Sequence, residues 1–167
     1  MEIERRFLVS QLPEGLDDYP HKLYEQGYLS VEPVLRVRRE GDEFVVTYKG
    51  KGHLVREEYN LPLTEDAYDH LLSKADGIVI KKIRYFIPDP SGYTIELDVF
   101  LDKLHPLVIA EVEFDDVGRA ASYVPPAWFG REVTENIAYS NSVMSRNGLP
   151  ADSDSGNNGQ HEMVPTD

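Results

Sequence analysis

The sequence predicts a mainly β (α+β) fold in which eight antiparallel strands close into a barrel, with a few helices outside it. Eight segments have the alternating or β-branched and aromatic composition of strands. Short links with turn residues separate several of them. The helical segments are too few to cover an open sheet of that size, and closure removes the exposed edges that such a sheet would leave.

The predicted strands are distributed over the first 114 residues. They are residues 2–9, 22–30, 34–40, 43–50, 54–61, 81–88, 93–100 and 107–114. Turn-forming sequences follow three of them, at residues 40–42, 50–52 and 88–92. Links this short favour hairpins, so neighbouring strands are expected to run antiparallel.

Three helices and a tail account for most of the rest. The first helix is expected to begin after Thr64 as N-cap and to end at Gly77. A short second helix follows Asp116, and a third is expected over residues 138–147. From Ala151 onward there is almost nothing to bury, so we expect one domain over residues 1–148 and a disordered acidic and polar tail over 149–167.

The composition limits the kinds of ligand and metal site that the protein can have. Seventeen Lys and Arg stand against 30 Asp and Glu, a net charge of −13 that opposes binding to nucleic acid or an anionic membrane. An anionic ligand would therefore need a locally basic site. The absence of Cys excludes thiolate chemistry and directs any metal site to oxygen ligands. No apolar run approaches the length of a membrane span, so a cytoplasmic location is expected.

Most of the predicted strands oppose a mainly apolar face to a face of charged residues. These residues are Glu2, Glu4, Arg6, Arg36, Arg38, Lys49, Arg56, Glu58, Lys82, Arg84, Glu96, Asp98, Glu111 and Glu113. One interpretation is an ordinary half-exposed sheet with its charges in water. In a closed barrel, by contrast, one face of every strand points inward, and eight strands leave room for one small ligand.

Charges that point into a barrel need partners from outside the protein. Two like charges at 4 Å repel by roughly 4 kcal/mol even at an effective dielectric constant near 20. Grouped carboxylates therefore favour a hard divalent cation, and grouped basic residues favour a polyanion such as a phosphate chain.

These residues lie in segments that resemble the CYTH family, also called triphosphate tunnel metalloenzymes. The N-terminal segment 2–9, Glu-Ile-Glu-Arg-Arg-Phe-Leu-Val, is similar to the opening of that family. Further similar segments follow in order at residues 26–29, 35–38, 47–49, 56–59, 82–85, 96–100, 111–114 and 125–134. The resemblance covers about residues 1–147.

The resemblance implies a fold and an activity. The fold is an eight-stranded tunnel, closed at one end in small bacterial members by a C-terminal plug helix, here about residues 138–147. The activity is metal-dependent attack of water on a triphosphate, with inorganic tripolyphosphate as the first choice of substrate and Mg²⁺ or Mn²⁺ as the cofactor. Family members can form homodimers, and no residue pattern in this chain decides that question.

The resemblance also implies roles for the charged residues. Metal binding would fall to Glu2, Glu4, Glu96, Asp98, Glu111 and Glu113, and phosphate binding to Arg6, Arg36, Arg38, Lys49, Arg56, Lys82 and Arg84. Lys82 is in addition a candidate base, because burial beside Arg84 would lower its pKa, although simple phosphate clamping fits it equally well. Glu58 would orient a neighbouring basic residue or water.

Two departures from the family pattern leave alternatives open. Arg6 stands where the family usually has Lys, and Ala138 stands where it usually has Arg. An arginine can clamp an anion but cannot serve as a base. The alternatives are a non-catalytic polyphosphate or nucleotide binder, a triphosphatase for thiamine triphosphate or nucleoside triphosphates, and a class IV-type adenylate cyclase.

Overall fold

A computed structural model describes residues 3–51 and 57–151, which build one eight-stranded antiparallel sheet with three short α-helices. The strands are β1 (Ile3–Leu8), β2 (His21–Val31), β3 (Val34–Glu40), β4 (Glu43–Lys49), β5 (Glu58–Pro62), β6 (Asp76–Pro88), β7 (Thr94–Phe100) and β8 (Val108–Phe114). The helices are α1 (Glu65–Leu72), α2 (Val117–Ser122) and α3 (Asn141–Asn147). The predictions of a mainly β fold, eight strands and few helices are confirmed.

The strands follow one another in the order β1-β8-β7-β6-β2-β3-β4-β5, and every neighbouring pair is antiparallel. Side chains from all eight strands line a single cavity. The sheet therefore wraps around that cavity, with one face of each strand turned inward.

The prediction of a barrel closed by its own strands is not confirmed. Within residues 3–51 and 57–151, no hydrogen-bonded ladder joins the two edge strands, β1 and β5. The free edge of β1 is instead paired with a segment that follows α2. The Leu8 N–H donates to the Arg131 carbonyl at 2.8 Å, and the Val133 N–H donates to the Arg6 carbonyl at 2.8 Å. Residues 130–134 thus satisfy backbone groups on the free edge of β1.

Two apolar clusters hold the sheet from opposite sides. The outer cluster includes Phe7, Leu97 and Tyr123 and lies between the sheet and α2. The inner cluster includes Tyr139 and Met144, both fully buried, and packs against inward-facing strand residues such as Ile80. The inner end of the wrapped sheet is therefore filled with apolar side chains.

Several predicted boundaries change. Helix α1 begins after Thr64, whose hydroxyl accepts a hydrogen bond from the Ala67 N–H, but it ends at Leu72. Gly77 is not its terminator; it lies within β6 at a φ of 69°. Helix α3 begins only at Asn141, because Ser140 is its N-cap.

Some predictions lie outside the described residues. Residues 54–56 of the predicted fifth strand do so, as do residues 152–167 of the predicted tail. Within the described ranges, no helix has both the length and the apolar composition needed to cross a bilayer.

Candidate active site

The cavity enclosed by the sheet has a volume of about 560 Å³ and brings together most of the predicted site residues. They reach it because β-strand side chains alternate between faces, so residues two apart share the inner face. The predicted residues that line the cavity are Glu4, Arg36, Arg38, Lys49, Glu58, Lys82, Arg84, Glu96, Glu111 and Glu113.

One wall of the cavity is basic and carries unpartnered donors. Arg36 and Arg38 lie on β3, and Lys49 lies on β4. The Nε atoms of both arginines are buried, and neither has a hydrogen-bond acceptor within the described part of the chain. Burial and the neighbouring Arg36 lower the pKa of Arg38. An anion on this wall would supply the missing acceptors, because buried N–H donors without an acceptor are costly.

The basic wall ends at β5, where Glu58 stands opposite Lys49 in the ladder. The Lys49 Nζ lies 3.6 Å from Glu58 Oε1, and the Asn60 side-chain amide donates to Glu58 Oε2 at 3.0 Å. The hydrogen bond from Asn60 and the charge of Lys49 lower the pKa of Glu58, although partial burial opposes them. Glu58 is therefore a carboxylate within ion-pair distance of Lys49.

The cavity floor contains a buried charge cluster on β6 and β7. Lys82 donates to Asp98 Oδ2 at 2.7 Å, while Arg84 donates to Asp98 Oδ1 at 2.7 Å and to Oδ2 at 2.8 Å. Arg84 also reaches Glu111 at 2.9 Å. Both oxygens of Asp98 are thus occupied by cations, and a bidentate arginine contact is among the stronger charge-assisted hydrogen bonds.

The pKa values in this cluster move in directions that follow from burial and charge. Burial lowers the pKa of Lys82, Asp98 opposes that effect, and Arg84 adds to it. Burial alone would raise the pKa of Asp98, but Lys82 and Arg84 together lower it. Arg84 has a raised pKa because Asp98 and Glu111 outweigh its burial.

The opposite wall is acidic. Glu4 stands directly across from Glu113 in the β1–β8 ladder, and Glu96 stands across from Glu111 in the β7–β8 ladder. Like charges placed opposite each other in a sheet destabilise it. Burial is the largest cause that raises the pKa of Glu96, and the neighbouring Glu111 adds to it, whereas Arg84 lowers it.

The carboxylate oxygens of this wall are the ligand type that hard divalent cations prefer, and no soft ligand competes with them. Within the described residues, no three His, Asp or Glu side chains are already gathered around one point. The donor chemistry therefore fits a divalent cation, with the two facing glutamate pairs as the nearest approach to a ligand set.

Two described candidates do not line the cavity. Asp98 is fully buried beneath Lys82 and Arg84. The Arg6 guanidinium donates to the Tyr139 carbonyl at 2.9 Å, beside the inner apolar cluster. Two other candidates, Glu2 and Arg56, lie outside the described residues.

The structure adds lining residues that sequence reasoning did not assign to the site. They are Tyr24, Tyr28, Val34, Glu40, Val45, Asn60, Ser140, Asn141 and Ser142. Those on strands continue the same two-residue alternation, so the pattern could have found them. The last three belong to the start of α3, and no strand pattern reveals them.

A basic wall with unpartnered donors facing a carboxylate wall is the arrangement expected of the class of proteins that bind a polyanion together with cations. Comparison with known proteins is consistent with that class. The family model of the CYTH domain matches residues 1–140. The chain belongs to the CYTH family.

Two relatives are similar over most of their length. An inorganic triphosphatase of Nitrosomonas europaea is 40% identical over 150 residues, which are 86% of this chain and 96% of the relative. An inorganic triphosphatase of Acetivibrio thermocellus is 35% identical over 158 residues, 87% of this chain and 94% of the relative. The crystal structure of an inorganic triphosphatase superposes with a TM-score of 0.72 at 36% identity, covering 87% of this chain and 94% of that one.

Proposed function

We propose that this protein is a metal-dependent triphosphatase that hydrolyses inorganic tripolyphosphate to pyrophosphate and orthophosphate. The observation that carries the proposal is the division of one cavity into a basic wall and an acidic wall. The similarity to two inorganic triphosphatases supports the choice of substrate.

The basic residues would bind the phosphate chain. Arg36 and Arg38 offer unpartnered Nε donors, Lys49 adds positive charge beside them on β4, and Lys82 adds it from the cavity floor. Arginine presents a planar fork of donors that matches phosphate oxygens, whereas lysine acts as a point charge. A linear triphosphate can therefore be held along the wall without any contact to an organic group.

Charge balance supports the need for a metal. Six carboxyl groups and five cationic side chains line the cavity among the described residues. A tripolyphosphate adds roughly four negative charges near neutral pH, given up to two on a terminal phosphate. Divalent cations would balance this excess, and Glu4, Glu96, Glu111 and Glu113 would hold them, with Glu2 as a further candidate. Bound there, Mg²⁺ or Mn²⁺ would polarise phosphate oxygens.

The reaction adds water to a terminal phosphorus and breaks one phosphoanhydride bond. The protein's contribution would be to position the chain and to stabilise its charge. Lys82 is the candidate proton acceptor, because burial lowers its pKa despite the opposing charge of Asp98. Asp98 would act as a positioning residue, since its carboxylate fixes both Lys82 and Arg84. Glu58 would orient Lys49 or an adjacent water.

The test is release of orthophosphate from tripolyphosphate, ATP, thiamine triphosphate and pyrophosphate, each with Mg²⁺, Mn²⁺ or EDTA. The variant Glu113→Gln removes an acidic-wall carboxylate, and Glu14→Gln is the matched control on the exposed surface. We expect metal-dependent release from tripolyphosphate that is lost in the first variant and kept in the second.

Other outcomes would redirect the proposal. Tight binding of tripolyphosphate without release would indicate a non-catalytic binder, and pyrophosphate formed from ATP would indicate a cyclase. Preference for thiamine triphosphate or ATP would indicate an organic triphosphatase. Activity that EDTA leaves unchanged would contradict metal dependence.

The proposal extends to organisation and location. Residues 1–148 would form the triphosphate-binding domain and 149–167 a tail outside it. The partner would be a small triphosphate or polyphosphate, with no nucleic acid and no membrane, because a net charge of −13 repels both. We also propose a cytoplasmic location.

A further inference from the structure

We propose that Arg6 is a positioning residue that tethers the plug across the inner end of the cavity. The plug is defined here as residues 137–147. The tethered plug limits the length of the phosphate chain that can bind. The statement about chain length rests on the proposed triphosphatase function. The tether itself does not, and it can be tested without any enzyme activity.

The contacts of Arg6 run to the segment after α2 rather than to the basic wall. Its N–H donates to Thr134 Oγ1 at 3.0 Å, and its carbonyl accepts from the Val133 N–H at 2.8 Å. Its guanidinium donates to the Tyr139 carbonyl at 2.9 Å. The backbone of Arg6 thus contacts the segment that leads to the plug, and its side chain contacts the plug itself.

The plug is held at its other end by close packing. A Cβ placed on Gly77 of β6 would overlap the Ser145 carbonyl of α3, so backbone meets backbone at this point. Met144 is fully buried in the inner cluster. Between these two fixed ends, Ser140, Asn141 and Ser142 line the cavity.

The identity of residue 6 matters for this tether. The same guanidinium that donates to Tyr139 places its Nε 4.0 Å from Glu4 Oε1. A guanidinium can face two acceptors at once because its donors point in several directions, whereas a lysine ammonium is a single compact charge. Arg6 therefore lies between Glu4 of the acidic wall and the plug, a placement that lysine would reproduce only in part.

Two models predict different effects of removing the guanidinium. If Arg6 tethers the plug, its loss lets the plug move and admits longer chains, so the ratio of kcat/KM for tetrapolyphosphate to that for tripolyphosphate rises. If Arg6 clamps phosphate, its loss raises KM for both substrates alike and the ratio stays constant.

The first experiment measures hydrogen exchange of the amides of residues 139–147 in the full chain, comparing wild type with Arg6→Met. Loss of a hydrogen bond from a charged donor should speed exchange there by about tenfold or more, while core strands are unaffected. Arg39→Met is the matched control, because Arg39 lies on the other face of β3 and donates to the Gly41 carbonyl. Unchanged exchange in the plug of Arg6→Met overturns the tether.

The second experiment measures kcat and KM for tripolyphosphate and tetrapolyphosphate in the same proteins. A rise in the ratio, with faster plug exchange, supports the proposal; a constant ratio overturns the claim about chain length. If wild type hydrolyses neither substrate, the proposed function fails while the exchange result still decides the tether. If Arg6→Met does not fold, Arg6→Lys is measured instead. We then expect a smaller increase in the exchange rate of the plug amides, and an unchanged rate contradicts the tether.

Discussion

Replacing Asp98 with Asn removes the carboxylate that pairs with two buried cations of β6. Only 2% of the Lys82 side chain and 2% of the Asp98 side chain are exposed. Breaking such a buried pair from one side costs about 3–5 kcal/mol, because the remaining charge is left without compensation. For a chain of 167 residues, that loss lowers the thermal midpoint by roughly 6–20 °C.

The assay is urea unfolding at neutral pH, with Asp102→Asn as a control for loss of an exposed carboxylate. Asp102 pairs with Lys81 at 3.8 Å with 67% of its side chain exposed, so its loss should cost about 0–1 kcal/mol. Adding Lys82→Met to Asp98→Asn should recover part of the loss, because it removes the stranded ammonium. A loss below about 1 kcal/mol in the single variant, the range of exposed pairs, would refute the reasoning.

The pH dependence of the same variant has a defined sign. The folded-state pKa of Asp98 lies below its ordinary value. Its stabilising contribution is therefore present above the ordinary aspartate pKa and is lost as the pH falls through the lowered folded value. The difference in unfolding free energy between wild type and Asp98→Asn should narrow in acid, and a constant difference from neutral pH to that range would contradict the assignment.

Substitutions at Lys82, Glu96 and Gly77 test separate parts of the structure. If Lys82 accepts a proton, Lys82→Arg should keep tripolyphosphate binding but lose most turnover, because arginine binds phosphate but does not deprotonate. Retained turnover in a phosphate-release assay would indicate that Lys82 only binds phosphate. The pKa of Glu96 is raised in the folded protein, so ionised Glu96 opposes folding once the pH exceeds that pKa. In EDTA at neutral pH, Glu96→Gln should therefore unfold at a higher temperature than wild type. Added Mg²⁺ should reverse that order. In thermal unfolding, Gly77→Ala should destabilise the protein far more than Gly92→Ala. Both glycines have positive φ, but only at Gly77 would a Cβ overlap Ser145. Equal losses of stability would exclude that clash.

Much of the candidate site could be predicted because strand alternation is a local property. Arg36 and Arg38 share a face of β3 whatever else the chain does, and Glu111 and Glu113 share a face of β8. The helix start at Thr64 was predictable for the same reason, since a cap depends on neighbouring residues.

The roles of individual charges within the inner face could not be predicted from alternation. Asp98 and Glu96 lie two residues apart on the same face of β7, yet Asp98 is enclosed by Lys82 and Arg84 while Glu96 lines the cavity. The two carboxylates differ because each has different neighbours on the adjacent strands. Arg84 stands opposite Asp98 in the β6–β7 ladder, and that pairing is a property of the assembled sheet.

The chain alone predicts the strand positions, the charged inner face and the family resemblance, because each depends on short segments of sequence. The covering of the sheet edge and the end of the cavity follow from the assembled fold. Arg6 meets Tyr139 across 133 positions, and Arg5 meets Glu132 across 127. Such contacts depend on the path of the whole chain, which no local pattern encodes. The same contacts place residues 130–134 on β1 and the start of α3 against the cavity.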